Sequence, residues 1–119
     1  MISNAGHCYP IYLANDCCEI IKRPLEGIIG ISGYSGKVTK FDIVDNSRLF
    51  LYTDGLTETF GVDGVPYGVE KLKEIIYDTK NLTVKDQIDS IYRDLIKFRD
   101  NDLFEDDLTF IGLDFSKGV

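Results

Sequence analysis

The sequence predicts a single α+β domain in which mostly antiparallel strands carry two helices on one face. Three observations lead to this prediction. Short apolar runs separated by turn residues fill the first half of the chain, two stretches with helical periodicity follow, and another apolar run lies near the end. The chain has 119 residues, which is enough for one domain with its own core, so we expect one domain over residues 1–119.

Short strands joined by turns are predicted over the first 47 residues. Residues 9–22 form a candidate hairpin, because two apolar runs flank Asn15-Asp16, a dipeptide that favours tight turns. A loop-rich segment with several glycines follows. Apolar and polar residues then alternate over residues 37–44, which predicts a further strand before a turn at Asp45-Asn46-Ser47.

Residues 49–52 are large and apolar, and this run ends abruptly in Thr53-Asp54-Gly55. A short run rich in β-forming residues and closed by a turn signal is typical of a buried strand. Asp54 then lies where the strand leaves the core, and a charge there is costly unless a cation, a dipole or hydrogen bonds compensate it. Asp54 is therefore the first candidate for chemistry.

Two helices are predicted after this strand, from about residue 68 to 78 and from about residue 83 to 99, because apolar residues recur at helical spacing. The second helix is predicted to begin at Thr83, and Asp86 follows three residues later, a pattern that resembles a capping box although the acid is Asp rather than Glu. Its apolar stripe consists of Val84, Ile88, Ile91, Leu95 and Phe98. Residues 108–115 are predicted to form the final strand.

The excess of acidic over basic residues limits the kinds of molecule that the protein is expected to bind. The chain has 20 acidic and 13 basic residues and a formal net charge of −7, which disfavours nucleic acid and anionic membranes as partners. No apolar run approaches the length of a transmembrane helix, and the first residues carry no secretory signal, so we expect a cytoplasmic protein. Three cysteines, two of them adjacent, do not form a disulfide framework and are expected to be reduced.

Carboxylates occur at the end of one predicted strand and at the beginning of another. Asp54 ends the first, and Asp106-Asp107 precede the second. If the two strands are antiparallel neighbours, these carboxylates share one rim of the sheet, where Mg²⁺ or Mn²⁺ finds the ligands it prefers. The residues alone leave a second interpretation open, since Asp-Gly is a common turn dipeptide and residues 105–107 are compatible with a solvated loop, as most such acids are turn formers or solubilising residues.

Four motifs occur in an order that resembles one family. They are Asn4-Ala5-Gly6-His7 with Pro10, the run Leu49-Phe50-Leu51-Tyr52-Thr53-Asp54-Gly55-Leu56-Thr57-Glu58, Tyr67-Gly68 with Leu72, and Asp106-Asp107-Leu108-Thr109. Together they resemble the C-terminal half of the bacterial PPM (PP2C-like) serine/threonine phosphatases of the stress-response and sporulation type. The resemblance covers nearly the whole chain and implies part of a PPM-type α-β-β-α sandwich.

The resemblance also implies roles for individual residues. Asp54 and Asp106 occupy the positions of metal ligands in a two-metal site that takes Mg²⁺ or Mn²⁺, and Asp107 is the weaker candidate. Asn4 and His7 match a turn whose role we expect to be mainly structural. The implied activity is hydrolysis of phosphoserine and phosphothreonine by metal-activated water, with phosphoproteins of the anti-sigma-factor antagonist type as substrates.

One part of the family pattern has no counterpart in this sequence. The family carries an Asp-Gly pair and a Gly-His-Gly segment in a preceding half, and no Gly-His-Gly occurs here. We therefore expect the C-terminal portion of a PPM domain that lacks its N-terminal half and has little activity alone. Uncovered sheet surface favours self-association, so a homodimer is expected. The alternative function is a non-catalytic, PPM-derived interaction or dimerisation module.

Overall fold

The computed structural model describes residues 1–22, 36–38, 40, 42–99 and 107–117, and the backbone of residues 25–26. Within these ranges the chain forms six strands and three helices. In chain order they are β1 (Asn4–Ala5), β2 (Ile11–Ala14), β3 (Cys17–Ile20), β4 (Leu25–Glu26), β5 (Ser47–Tyr52), α1 (Asp54–Thr57), α2 (Val69–Asp78), α3 (Val84–Arg99) and β6 (Phe110–Phe115).

An antiparallel sheet in the order β3-β2-β5-β6 organises this part of the chain. The short strands β1 and β4 pair separately and in parallel. Both α2 and α3 pack on one face of the larger sheet, where their apolar residues and those of β2 and β5 form the core. The predicted α+β class, the mostly antiparallel pairing and the two helices on one face are confirmed.

The hairpin predicted over residues 9–22 is also confirmed. Strands β2 and β3 pair from Ile11 with Ile20 to Ala14 with Cys17. The two residues between them, Asn15 and Asp16, both adopt the left-handed backbone region, with φ of 50° and 58°. Two successive residues in this region match the twist of the flanking strands, and asparagine and aspartate tolerate it better than most residues do.

Both predicted helices are present, within a residue of their expected starts. Helix α3 begins after Thr83, whose Oγ1 accepts a hydrogen bond of 3.1 Å from the backbone N–H of Asp86, as the capping pattern predicts. The helices bury their apolar stripes against Ile11 and Phe50 of the sheet, which are fully buried. The helix residues that are buried there are Leu72, Ile76, Ile91 and Leu95.

A polar network crosses this core. The side chain of Gln87 in α3 is fully buried, and its Nε2 donates to the carbonyl oxygen of Ile76 in α2 at 2.8 Å. Its Oε1 accepts from Nη1 of Arg48 in β5 at 2.8 Å, and Nε of Arg48 donates to Asp114 in β6 at 3.1 Å. These contacts join two strands and two helices, and they satisfy groups that burial would otherwise penalise.

The strand predicted over residues 37–44 is wrong in the described part of that range, because residues 42–44 have no regular secondary structure. The backbone N–H of Val44 donates to the hydroxyl of Tyr12 at 3.1 Å, and its carbonyl accepts from Ser47 Oγ at 2.6 Å. Side chains thus take the hydrogen bonds that a strand partner would take. The alternation of apolar and polar residues alone did not reveal this.

The face of the sheet opposite the helices is partly exposed. Leu49 of β5 pairs with Leu113 of β6, and Leu51 pairs with Ile111, so the four side chains share this face. Leu49 is 8% exposed, whereas Ile111 and Leu113 are 46% and 41% exposed. We call these four residues the outer face.

We predict that Gly112→Ala destabilises the protein by about 1–3 kcal/mol, because the added methyl group overpacks the contact between α3 and β6. A Cβ at Gly112 would lie 2.8 Å from Cγ2 of Val84 and 3.2 Å from Cε1 of Phe50. Thermal and urea unfolding measure the change. Ser116→Ala, at an exposed residue just beyond β6, is the control. Equal stability of the two variants would show that α3 does not pack closely over Gly112.

Candidate metal-binding site

The antiparallel pairing of β5 and β6 builds one rim of the sheet. The pairing runs from Ser47 opposite Phe115 to Tyr52 opposite Phe110. Asp54 follows the end of β5, and Asp107 precedes the beginning of β6, so both lie at this rim. The side-by-side arrangement that the sequence predicts for the two acidic segments is therefore present between Asp54 and Asp107.

At Asp54 the chain forms a short helix where the sequence predicts a turn. The backbone N–H of Glu58 donates to the carbonyl of Asp54 at 2.8 Å, which closes the single turn of α1. Leu56 is 1% exposed and anchors this turn in the core, while Asp54 is exposed. The Asp54 carboxylate is thus solvated. The expectation of a costly charge at the strand end is wrong, and its position at the rim is what makes it a candidate ligand.

Thr53 connects the two strands at the rim. Its backbone N–H donates to the carbonyl of Thr109 at 3.0 Å, and the N–H of Thr109 donates to Thr53 Oγ1, also at 3.0 Å. The Thr53 hydroxyl lies 3.5 Å from the carbonyl oxygen of Asp107. These contacts hold the residues next to Asp54 against the residues next to Asp107.

The predicted ligand Asp106 lies outside the described residues, and Asp107 is exposed. Among the residues that the structure describes, no group of three or more His, Cys, Asp or Glu side chains is arranged to hold a metal ion. The kind of donor at the rim nevertheless fits Mg²⁺ or Mn²⁺, because hard cations of this size prefer carboxylate oxygens and keep several waters.

Two further groups near Asp54 were not predicted from the sequence. Burial raises the pKa of the Cys8 thiol, and the negative charges of Asp54 and Glu58 raise it further. Burial also raises the pKa of Tyr52 to about 12, with Cys8 contributing. Both groups are therefore neutral at pH 7. Cys8 is marked in the sequence only by its position after the Asn-Ala-Gly-His turn, and Tyr52 only by its place in the apolar run before Thr53.

The turn at residues 4–7 is held by the side chain of Asn4, which is 5% exposed. Its Oδ1 accepts from the backbone N–H of His7 at 2.8 Å, and its Nδ2 donates to the carbonyl of His7 at 3.0 Å. Gly6 has a φ of 81°, which an L side chain rarely adopts. The His7 side chain is exposed, so the contacts of this turn accord with the structural role expected for it.

The fold is that of PP2C-type phosphatase domains. The structure is similar to the SiaA-PP2C domain of Pseudomonas aeruginosa, with a TM-score of 0.73 at 18% sequence identity. The similarity covers 92% of this chain and 44% of that chain, so the present chain spans less than half the length of that structure. The implied membership of the PPM-type sandwich is confirmed at the level of the fold.

The sequence matches the Stage II sporulation protein E (SpoIIE) family over residues 1–116. The chain therefore belongs to the SpoIIE family of PP2C-like phosphatase domains, as the motifs imply. A comparison with curated proteins found no match. Among the described helices, none has the length and apolar character needed to cross a membrane.

We predict that Asn4→Ala lowers the free energy of unfolding by about 1–3 kcal/mol, because it removes both partners of the His7 backbone in a partly buried turn. His7→Ala is the matched comparison and should change it by less than about 0.5 kcal/mol, since that side chain is exposed. Urea unfolding measures both. A larger loss for His7→Ala than for Asn4→Ala would contradict the role given to Asn4.

Proposed function

We propose that this chain is the C-terminal part of a metal-dependent protein serine/threonine phosphatase, with Asp54 and Asp106 as metal ligands. The observation that carries the proposal is the β5–β6 pairing, which brings Asp54 to the same rim as Asp107, the neighbour of Asp106. Membership of the SpoIIE family supports metal binding by the carboxylates at this rim, which an acidic sheet edge alone would not indicate.

A bound Mg²⁺ or Mn²⁺ would supply an activated water for attack on the phosphoester. The residues of this chain supply the negative charge that holds the cation. Asp54 does so from the first turn of α1, at a backbone position set by the buried Leu56. Burial raises the pKa of Cys8 and of Tyr52, which favours the neutral form of each group beside the carboxylates.

The substrates that we propose are phosphoserine and phosphothreonine proteins of the anti-sigma-factor antagonist type, in the cytoplasm. Family membership supports the phosphatase class. The net charge of −7 supports a protein substrate rather than nucleic acid, whose phosphates this surface would repel.

One observation favours the alternative, a non-catalytic interaction or dimerisation module. The sequence contains no Gly-His-Gly segment, which in the family accompanies the aspartate that bridges the two metals. Two carboxylates from this rim would hold a cation weakly, because Mg²⁺ demands near-ideal octahedral coordination. A two-metal centre also needs more protein ligands than these two carboxylates. The genomic sequence upstream of Met1 separates the two functions. An in-frame Asp-Gly and Gly-His-Gly segment would favour the enzyme.

We expect the 119-residue chain to bind Mn²⁺ weakly at the rim and to show little or no phosphatase activity alone. Paramagnetic broadening of backbone amide signals during an Mn²⁺ titration detects such weak binding, and it should centre on residues 53–55 and 107–109. Asp54→Asn should remove the broadening, because it removes a ligand charge. Asp78→Asn, an exposed carboxylate at the end of α2, is the matched control and should leave it unchanged.

Phosphate release from a phosphoserine peptide is the companion measurement. Background rates with Mn²⁺ are the expected result. Robust turnover that depends on Mn²⁺ and disappears in Asp54→Asn would show that the expected inactivity is wrong while supporting the phosphatase class. Broadening that is unaffected by Asp54→Asn would contradict the proposed metal ligand.

We also propose that the chain forms a homodimer that covers the outer face. Ile111 and Leu113 are large, exposed and adjacent on this face, which favours association. Light scattering after size exclusion should give a dimer at micromolar concentration, and Leu113→Lys should shift it toward monomer. Val62→Lys is the control, since Val62 is 79% exposed but lies in the loop between α1 and α2. A monodisperse monomer of the unaltered chain would contradict the proposal.

A further inference from the structure

The hydroxyl of Thr53 is used in an unexpected way. Thr53 is the N-cap residue of α1, with φ of −90° and ψ of 159°. An N-cap threonine ordinarily accepts a hydrogen bond from a backbone N–H in the first turn of its helix. In α1 the side chain makes no capping hydrogen bond, and Oγ1 instead accepts from the N–H of Thr109 across the sheet.

The backbone contacts explain why the hydroxyl is needed there. In an antiparallel hydrogen-bonded pair, each residue donates its N–H to the carbonyl of the other. Thr53 donates to the Thr109 carbonyl at 3.0 Å, but its own carbonyl accepts from the N–H of Leu56 at 3.1 Å and so belongs to α1. The Thr53 hydroxyl replaces that carbonyl as the acceptor for Thr109. The chain can therefore turn from strand into helix at Thr53 and keep both hydrogen bonds to Thr109.

We infer that Thr53 is a positioning residue, which holds the start of α1 at Asp54 against the chain at Asp107 and so keeps the Asp54 carboxylate at the rim where the cation would bind. The inference rests on the proposed metal-dependent function. The distance of 3.5 Å from Thr53 Oγ1 to the Asp107 carbonyl places the hydroxyl directly against the acidic segment. Residues that orient metal ligands without touching the metal change metal affinity when they are replaced.

Two substitutions separate this role from a general effect on the fold. Thr53→Val keeps the shape and β-branching of the side chain and removes the hydroxyl. Thr109 is exposed, so water can replace the lost partner and the variant should fold. Thr53→Ser restores the hydroxyl. Thr79→Val is the control, because it removes a threonine hydroxyl that donates to Ile75 at the end of α2 at 2.6 Å.

The experiment is an Mn²⁺ titration of the full chain, followed by paramagnetic broadening of amide signals. Thr53→Val should weaken the apparent Mn²⁺ affinity about 10-fold. Thr53→Ser and Thr79→Val should bind Mn²⁺ as the unaltered chain does. Amide hydrogen exchange gives a measurement that needs no substitution. In the unaltered chain the Thr109 N–H lies outside β6 yet should exchange slowly, and in Thr53→Val it should exchange faster.

The outcomes distinguish this inference from the proposed function. If Asp54→Asn abolishes Mn²⁺ binding and Thr53→Val does not weaken it, the positioning role is wrong and the proposed metal site stands. If neither substitution affects binding, both are wrong. Fast exchange of the Thr109 N–H in the unaltered chain also overturns the positioning role. Weakening by Thr53→Val that Thr53→Ser does not share supports it.

Discussion

The pairing of β5 with β6 is the constraint on which the rest of the described structure depends. Strand β5 lies between β2 and β6 and is hydrogen-bonded to both of them. One of its faces also packs in the core. The side chains of β5 make different contacts on the two faces of the sheet. Phe50 fills the core, Arg48 bonds to Gln87 and Asp114, and Leu49 faces the outer side. A strand used on both faces leaves little freedom in its register.

That register links the core to the candidate metal site. Phe50 lies opposite Gly112, where α3 comes so close that a methyl group would not fit without a shift. A slip of β6 by one residue would place Leu113 or Ile111 against α3, and a slip of β5 by one residue would turn Phe50 toward the outer face. Either slip would separate Thr53 from Thr109. Packing of apolar side chains therefore determines which acidic residues meet at the rim, although none of the acidic residues belongs to the core.

Most of the fold could be predicted from local patterns, and the misses have physical causes. Asn15-Asp16 marks a hairpin and the apolar stripe of α3 marks a helix, because both signals lie within one element. The partly buried contact between Arg48 and Gln87 joins residues far apart in sequence and has no local signal. The start of α1 was missed because Asp54-Gly55 equally signals a turn. The shared rim was predictable only by assuming antiparallel neighbours, and the predicted ligand Asp106 lies outside the described residues.

The exposure of Asp54 means that its charge costs the folded chain little free energy. Its charge is solvated, so the folded chain does not need a cation there for stability. Asp54 and Glu58 nevertheless lie close enough to Cys8 for both carboxylates to raise its pKa, so negative charge is concentrated on this side of the rim, and the chain as a whole carries −7. Bringing like charges together costs free energy that a divalent cation would relieve. The fold supplies this arrangement through backbone hydrogen bonds and one threonine hydroxyl. The rim is therefore held in place by the sheet, and a cation need not assemble it.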